Sequence, residues 1–454
     1  MTAFVIAGLF ANARAQSPDV EPPAKPSKRA EEKAAAERAT QPPAAKSSDK
    51  EKENPGLETW GAVTPGAGML LHRSKIGELD ISAYALIRYL NQLPAGEVFL
   101  DHLGRPHHVD ARHDIWAHRI MVHLKGWLGL PKLRYQITFW TVNTTDQTAI
   151  FAVLGYQFHR AFSLYGGLNA LPGTRTLQGS HPYWLGHDRV MADEYFRPYF
   201  THGIWASGEV YPGLWYQGMV GNNLSALGIT ATQLTRDFAY AASIWWMPTT
   251  YEFGPNGSFD DYEWHEELAT RFGVSGVNSR EDSFVELTAK APENTTIRLA
   301  DSLNVFELGA LADGVSVRKV RYRLLSADAG LKYKGIFLQG SYFLRWLGDF
   351  VTDGPIPVTS IVDQGFYLQA AFYPVKQKLE AYGATSWVFG DKDAGFKTEY
   401  EWLAGVNWFF ANTRDIRLNG QIIRMNRSPV SSSFGYYVGG LKGETVSLAV
   451  SINF

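Results

Sequence analysis

The segment Glu444–Phe454, ETVSLAVSINF, sorts its side chains into two sets. Val446, Leu448, Val450, Ile452 and Phe454 form one, and Thr445, Ser447, Ala449, Ser451 and Asn453 the other. Successive side chains leave a pleated backbone on opposite sides, so this period of two reads as a strand with one greasy and one wet face. The apolar set runs to Phe454 itself, with no polar residue after it. In water such a row is a frayed apolar edge. The segment is therefore expected to face something other than water.

The same pattern recurs upstream. Trp402, Ala404, Val406, Trp408 and Phe410 oppose Glu401, Leu403, Gly405, Asn407 and Phe409. Ile336, Leu338, Gly340, Tyr342, Leu344 and Trp346 oppose Gln339, Ser341 and Arg345. Phe238, Tyr240, Ala242, Ile244 and Trp246 oppose Asp237, Ala239, Ala241 and Ser243, and Leu133 to Phe139 alternates likewise. Aromatic residues gather near the ends of the apolar rows, as Trp402, Phe410 and Trp346 do. Membrane barrels carry such girdles at both interfaces.

The alternation predicts sixteen strands, at 78–91, 113–125, 132–142, 149–158, 161–169, 202–210, 214–222, 236–246, 264–275, 320–334, 335–347, 362–373, 377–388, 399–410, 414–426 and 444–454. Most are about 9–13 residues long, close to the ~9–11 that a tilted strand needs to cross a bilayer. Their connections alternate short and long, as expected of tight periplasmic turns and longer outer loops. One connection, Met247 to Glu263, is long where a short one is expected. The predicted fold is all-β: a transmembrane antiparallel barrel of about sixteen strands over 58–454.

Composition agrees. Aromatic residues are 14% and charged residues only 19% of the 454, yet mean hydropathy is -0.19. No stretch approaches the ~20 apolar residues of a membrane helix. A net charge of -2 argues against nucleic acid as a partner. With no cysteine there is no thiol nucleophile, thiolate metal site or disulfide.

Ala3–Phe10 (AFVIAGLF), followed by Ala13-Arg14-Ala15, reads as the end of a secretory signal peptide over 1–15, although a basic n-region is missing. Residues 16–57 are Pro, Lys, Glu, Ala and Ser and hold too little apolar surface to offset ordering entropy; they read as a disordered periplasmic tail.

The terminal ETVSLAVSINF, together with GFYLQAAFYPVKQKLEAYGATSWVFGD and SADAGLKYKGIFLQGSYFLRW, resembles the outer-membrane porins, and most nearly the phosphate-selective porins of the O and P type. The resemblance covers about residues 60–454. It implies a bacterial outer-membrane location, a homotrimer of water-filled channels, and a third outer loop, here Ala170–Thr201, folded into the pore. Expected partners are outer-membrane lipid and lipopolysaccharide, the barrel assembly machinery acting through Phe454 and its strand, and small anionic or neutral solutes. No cofactor is expected.

In channels, selectivity comes from charged side chains lining the lumen. Arginine suits phosphate because its planar fork bonds two oxygens and keeps its charge. Strand parity places Arg88, Arg119, His123, Lys125, Arg134, Arg271, Arg321, Arg323, Arg345 and Arg417 inside. The third loop adds Arg175, His181, His187, Arg189 and Arg197. The bland reading is a wet inner face balanced by Asp80, Asp237, Glu267, Glu399 and Glu401.

No catalytic or metal site is expected. His113, His118 and His123 are five apart, a spacing that alternates faces on a strand, so they cannot share one metal. His265-Glu266 lacks the second histidine of a zinc-protease helix. Asn143-Thr144-Thr145 and Asn294-Thr295-Thr296 are sequons, read as turn polarity. Two other readings remain: a barrel that is an enzyme or adhesion scaffold, and a soluble all-β binding module.

Overall fold

The computed structural model describes residues 65–142, 147–225, 237–283, 297–431 and 435–454. The expected leader, the 16–57 tail and both sequons lie outside the described residues.

Strand β1 (Met69–Ser74) makes a hairpin with β2 (Gly77–Pro94), and β3 (Val98–Leu100) makes a small one with β4 (Pro106–His108). The wall continues through β5 (His113–Leu128), β6 (Leu130–Val142), β7 (Gln147–His159), β8 (Phe162–Ala170), β9 (Phe200–Tyr211), β10 (Leu214–Gly221), β11 (Ala239–Trp246) and β12 (Ala269–Asp282). It ends with β13 (Val317–Tyr333), β14 (Ile336–Thr352), β15 (Ser360–Val375), β16 (Leu379–Phe389), β17 (Thr398–Trp408), β18 (Ile416–Met425) and β19 (Gly443–Asn453). Each pairs antiparallel with the next, and β19 returns to β2, so β2 and β5–β19 form a closed ring of sixteen. Closure leaves no sheet edge unpaired, which is what lets strands cross a membrane.

The two predicted faces are present. Leu448, Ile452, Trp402, Val406 and Trp408 stand half-exposed on the outside, while Thr445, Ser447, Glu401 and Asn407 are buried inside. An apolar side chain left in water forgoes ~1.5–3 kcal/mol of burial. A belt of them is stable against acyl chains. Phe366, Trp387 and Tyr400 stack in an outward girdle, with ring centroids 6.3 and 4.7 Å apart. Among the described residues no helix is long and apolar enough to cross a membrane.

Tight turns alternate with long loops. Lys334 and Gly335 join β13 to β14 with φ of 47° and 81°, the two positive values that a two-residue hairpin matched to strand twist requires. The predicted strand 264–275 is displaced: β12 starts at Ala269 and runs to Asp282. Residues 264–268 belong instead to the long turn 247–268, whose DDYEW run has no period to mark where the strand begins.

One bulge reorders the inner face. Along β2 and β5 the register steps from Leu86↔Arg119 to Ile87↔Ala117, leaving His118 extra. A bulge turns two successive side chains to one side, so His118 and Arg119 are both buried. His118 and His123 therefore share the inner face, contrary to the simple alternation.

Candidate functional site: the lumen around the third loop

The third loop, 171–199, lies inside the barrel and is buried along almost its whole length. It carries one short helix, α1 (Met191–Phe196). The first backbone N–H groups of a helix have no partner within it, and the residue before α1, Val190, offers no side-chain cap. The wall supplies partners instead: Met191 N–H donates to Glu401 Oε1 at 2.6 Å and Ala192 N–H to Ser386 Oγ at 2.6 Å. Phe196 stacks on Phe343 at 5.1 Å, and its carbonyl accepts from the Tyr322 hydroxyl. On other strands Ser243 and Ser326 donate to the Pro172 and Gly173 carbonyls, and Asn407 to that of Leu185.

Other segments also enter. Turn 247–268 rises from the tight-turn end with Phe253 and Phe259 buried, and Phe259 N–H donates to the Tyr183 carbonyl of the third loop at 2.8 Å. Buried Lys332 donates to Phe253 O and Ser258 Oγ at 2.7 and 2.8 Å. Arg414 pairs with Asp260 and Glu263 and lies 4.2 Å over the Tyr183 ring. From the other end, the Tyr437 hydroxyl lies 3.0 Å from both Glu401 Oε2 and Arg189 O, which share its one proton. The middle of the barrel is thus crowded by loops, where the sequence reading expects a hollow one.

Twelve of the fourteen cationic or histidine candidates lie on the lumen side or on the third loop. Asp188 gathers several. Arg119 donates to it at 3.0 Å and also to the His187 carbonyl, and Arg88 lies 3.9 Å away. Burial alone would raise the Asp188 carboxyl; Arg119, His118 and Arg88 outweigh it and hold the group well below the usual carboxylate range. Arg417 donates to the carbonyls of Trp184 and Gly186 at 2.5 and 3.2 Å and meets no carboxylate among the described residues. Arg189 stacks on Trp184 at 4.3 Å and lies 3.5 Å from Asp193, and Arg197 forks onto Glu194 with two bonds of 2.8 Å. Arg271 meets Asp328 at 3.1 Å, Arg345 pairs with Asp363, and Arg175 donates to Gly257 O. Toward the tight-turn rim, Lys125 donates to Gly66 O at 3.2 Å and Arg134 to Pro131 O at 3.4 Å, while His123 meets Thr138 at 2.8 Å.

Arg321 and Arg323 do not join them. On β13 the buried set is Val320, Tyr322, Leu324, Ser326 and Asp328, so both arginines face outward. The inner face there is apolar because it packs on Phe196 and its neighbours, which inverts the parity that an assumed wet lumen suggests. Of the expected counter-charges, Glu399 and Glu401 are buried inside, Asp237 sits 3.9 Å from the outward Arg280, and Glu267 precedes β12. The working carboxylates are Asp188, Asp193, Glu194, Asp328 and Asp363. The last two were legible from strand parity; the loop residues had no period to place them.

His265 is engaged by carboxylates. Its two ring nitrogens meet Asp261 and Glu252, and no group of side chains suited to a metal occurs among the described residues.

No family model matches the chain, and no curated protein matches it. Solved structures do. The outer-membrane expressed OmpT of Vibrio cholerae matches at 10% identity over 85% of this chain and 100% of that one, with a TM-score of 0.53. The in-vitro folded form of the same protein matches at 10% over 85% and 100%, with 0.50. The anion-selective porin from Comamonas acidovorans matches at 10% over 83% and 100%, with 0.48. At such identities the two matches at 0.53 and 0.50 show a likeness of fold alone.

Proposed function

We propose that the chain is a diffusion channel of the bacterial outer membrane for small hydrophilic solutes, narrowed by its third loop and leaning toward anions. The observation that carries the reading is the surplus of positive charge at one stretch of that loop: Arg88, Arg119 and Arg417 converge on Trp184–Asp188, in which the one carboxylate is Asp188. Small barrels that serve only as scaffolds fill themselves with packed side chains. This one is crowded by polar loops, and Ser82 Oγ, Gln339 Oε1, Thr445 Oγ1 and the side-chain oxygen and nitrogen of Asn223 are buried with no hydrogen-bond partner among the described residues. Such groups are met by water, so the passage is narrow and wet. Phosphate, as the resemblance to the O and P porins suggests, is the anion whose shape best fits several arginine forks. Assembly in threes and insertion guided by the strand ending at Phe454 complete the proposal.

Planar-bilayer recording tests it. In a salt gradient the reversal potential should report anion preference, and added phosphate should reduce chloride current more than added sulfate does. A cation-selective current removes the anion path. A correctly inserted barrel that passes no current favours a scaffold.

A further inference from the structure

Trp116 stands on the unusual side of the wall for its type. In a membrane barrel tryptophan gathers on the outward girdles. On β5, though, Trp116 lies opposite Arg88 and Asp114 opposite Leu90, and both partners are buried on the inner face. The bulge at His118 is the cause. Counted back from inward Arg119 by simple alternation, Trp116 and Asp114 would face lipid. The extra residue turns them inward and leaves Ile115, 75% exposed, on the outside. Bulges recur beside binding sites because they re-aim side chains in this way.

Both residues line a cavity of about 560 Å³ at the long-loop end, built with the connections that follow β2, β12 and β18. Small-molecule sites measure ~300–1,000 Å³. Of the rings that line it, Phe99 is stacked by His107 at 5.3 Å, and the Tyr437 hydroxyl is engaged with the third loop. Trp116 has neither a stacking partner nor a hydrogen bond among the described residues, so its ring is left to a solute. Asp114 Oδ1 is likewise buried with no hydrogen-bond partner among them.

Charge decides between solutes. Asp110, Asp114 and Glu307 share the cavity with Arg112 and Arg298, so neither sign prevails as it does at Trp184–Asp188. A simple ion meets repulsion there as well as attraction. A hydroxyl does not, because it donates to a carboxylate and accepts from a guanidinium at once. The guanidiniums are fixed for that: Arg112 donates to the Gly435 carbonyl at 2.6 Å and Arg298 to the Ser302 carbonyl at 2.7 Å. Arg112 Nε lies 3.9 Å from Asp114 Oδ2, too far for a direct hydrogen bond and close enough for one hydroxyl to reach both. A ring that carries several hydroxyls at its edge and an apolar C–H face to cover an indole is a saccharide.

We propose that this outer cavity binds an uncharged saccharide, stacked on Trp116 with its hydroxyls shared between Asp114 and Arg112. The site stands on the barrel fold and not on conduction.

The test uses the full chain, folded in a detergent with an amine-oxide headgroup so that no sugar competes, and checked by heat-modifiable gel mobility. Equilibrium dialysis measures radiolabelled maltose, with radiolabelled phenylalanine as the zwitterionic comparison. The wild-type chain should bind maltose equally well in about 0.1 and 1 M NaCl, since salt screens charges and not hydroxyls, and should bind phenylalanine more weakly. Trp116→Ala and Asp114→Asn should each weaken maltose binding about tenfold. No maltose binding by the wild type overturns the proposal, as does unchanged binding by either variant. Phenylalanine bound more tightly than maltose, and released by salt, assigns the cavity to zwitterions and overturns it as well. If Trp116→Ala does not fold, Asp114→Asn alone decides. Bilayer current is a separate readout: a barrel that binds maltose without conducting keeps this site and loses the channel, and one that conducts without binding does the reverse.

Discussion

Arg323 and Arg417 carry the same guanidinium on opposite sides of one wall. Arg417 spends its hydrogen bonds on carbonyls of the third loop, and Arg323 faces outward. Arg417→Gln should therefore shift the reversal potential toward cations, and Arg323→Gln should leave it unchanged. Equal shifts in a salt gradient would contradict the assigned faces. His181 and His187 make a second residue-scale prediction. Burial, then Arg119 and Arg189, depress the His181 ring; burial, then Arg417 and Arg88, depress His187. Both are neutral in the folded chain, while the unfolded chain binds protons near the ordinary value of about 6.5. Their stabilisation is complete above that pH and is lost as pH falls below it. The gel heat-modification temperature should drop between pH 7.5 and 4.5, and less so for His181→Gln/His187→Gln. Parallel losses would place the acid-sensitive groups elsewhere.

The turn 247–268 is the element whose behaviour the sequence did not disclose. Its length was visible as the one break in the short-long alternation. Its fate was not, because Phe253 and Phe259 have no periodic partners and the turn is held by Lys332 on β13 and by Arg414 in the connection between β17 and β18. Strands other than β12, by contrast, were legible to within about five residues, since lipid on one side and polar groups on the other write a period of two into a crossing. That logic failed where an inner face is itself apolar, at Tyr322 and Leu324, and where a bulge added His118. Two measurements address the turn. Arg414→Ala leaves Asp260 buried without its cation, a change that typically costs about 3–5 kcal/mol, and should release the turn and raise single-channel conductance. His265 gives the same outcome by pH. Burial would lower its ring, but Asp261 and Glu252 outweigh that and hold it at about 9. A raised value means stability that is complete below about pH 6.5 and lost as pH rises through about 9. Conductance should climb over that alkaline limb, and constant conductance to pH 10 would show that the turn is held by other contacts.

At the scale of the whole molecule, the barrel is a lipid-soluble shell around a water-soluble filling, and the two were unequally readable. The shell follows from alternation alone. The filling is chosen by side chains on loops that the closed ring brings together from distant parts of the chain. One detail of that closure reaches further. The same edge of β2 is occupied by two partners in line: β19 covers Tyr84 to Pro94, Phe454 exchanges both backbone hydrogen bonds with Ala83 at 3.0 Å, and β1 takes over from Ile81 to Gly77. The row is full. A tag added beyond Phe454 in strand conformation finds its place already taken by Met69 and Leu70, and must either peel that hairpin away or turn off the wall at once. The tolerance of this barrel to carboxy-terminal fusions is therefore decided by a strand nearly four hundred residues earlier in the chain.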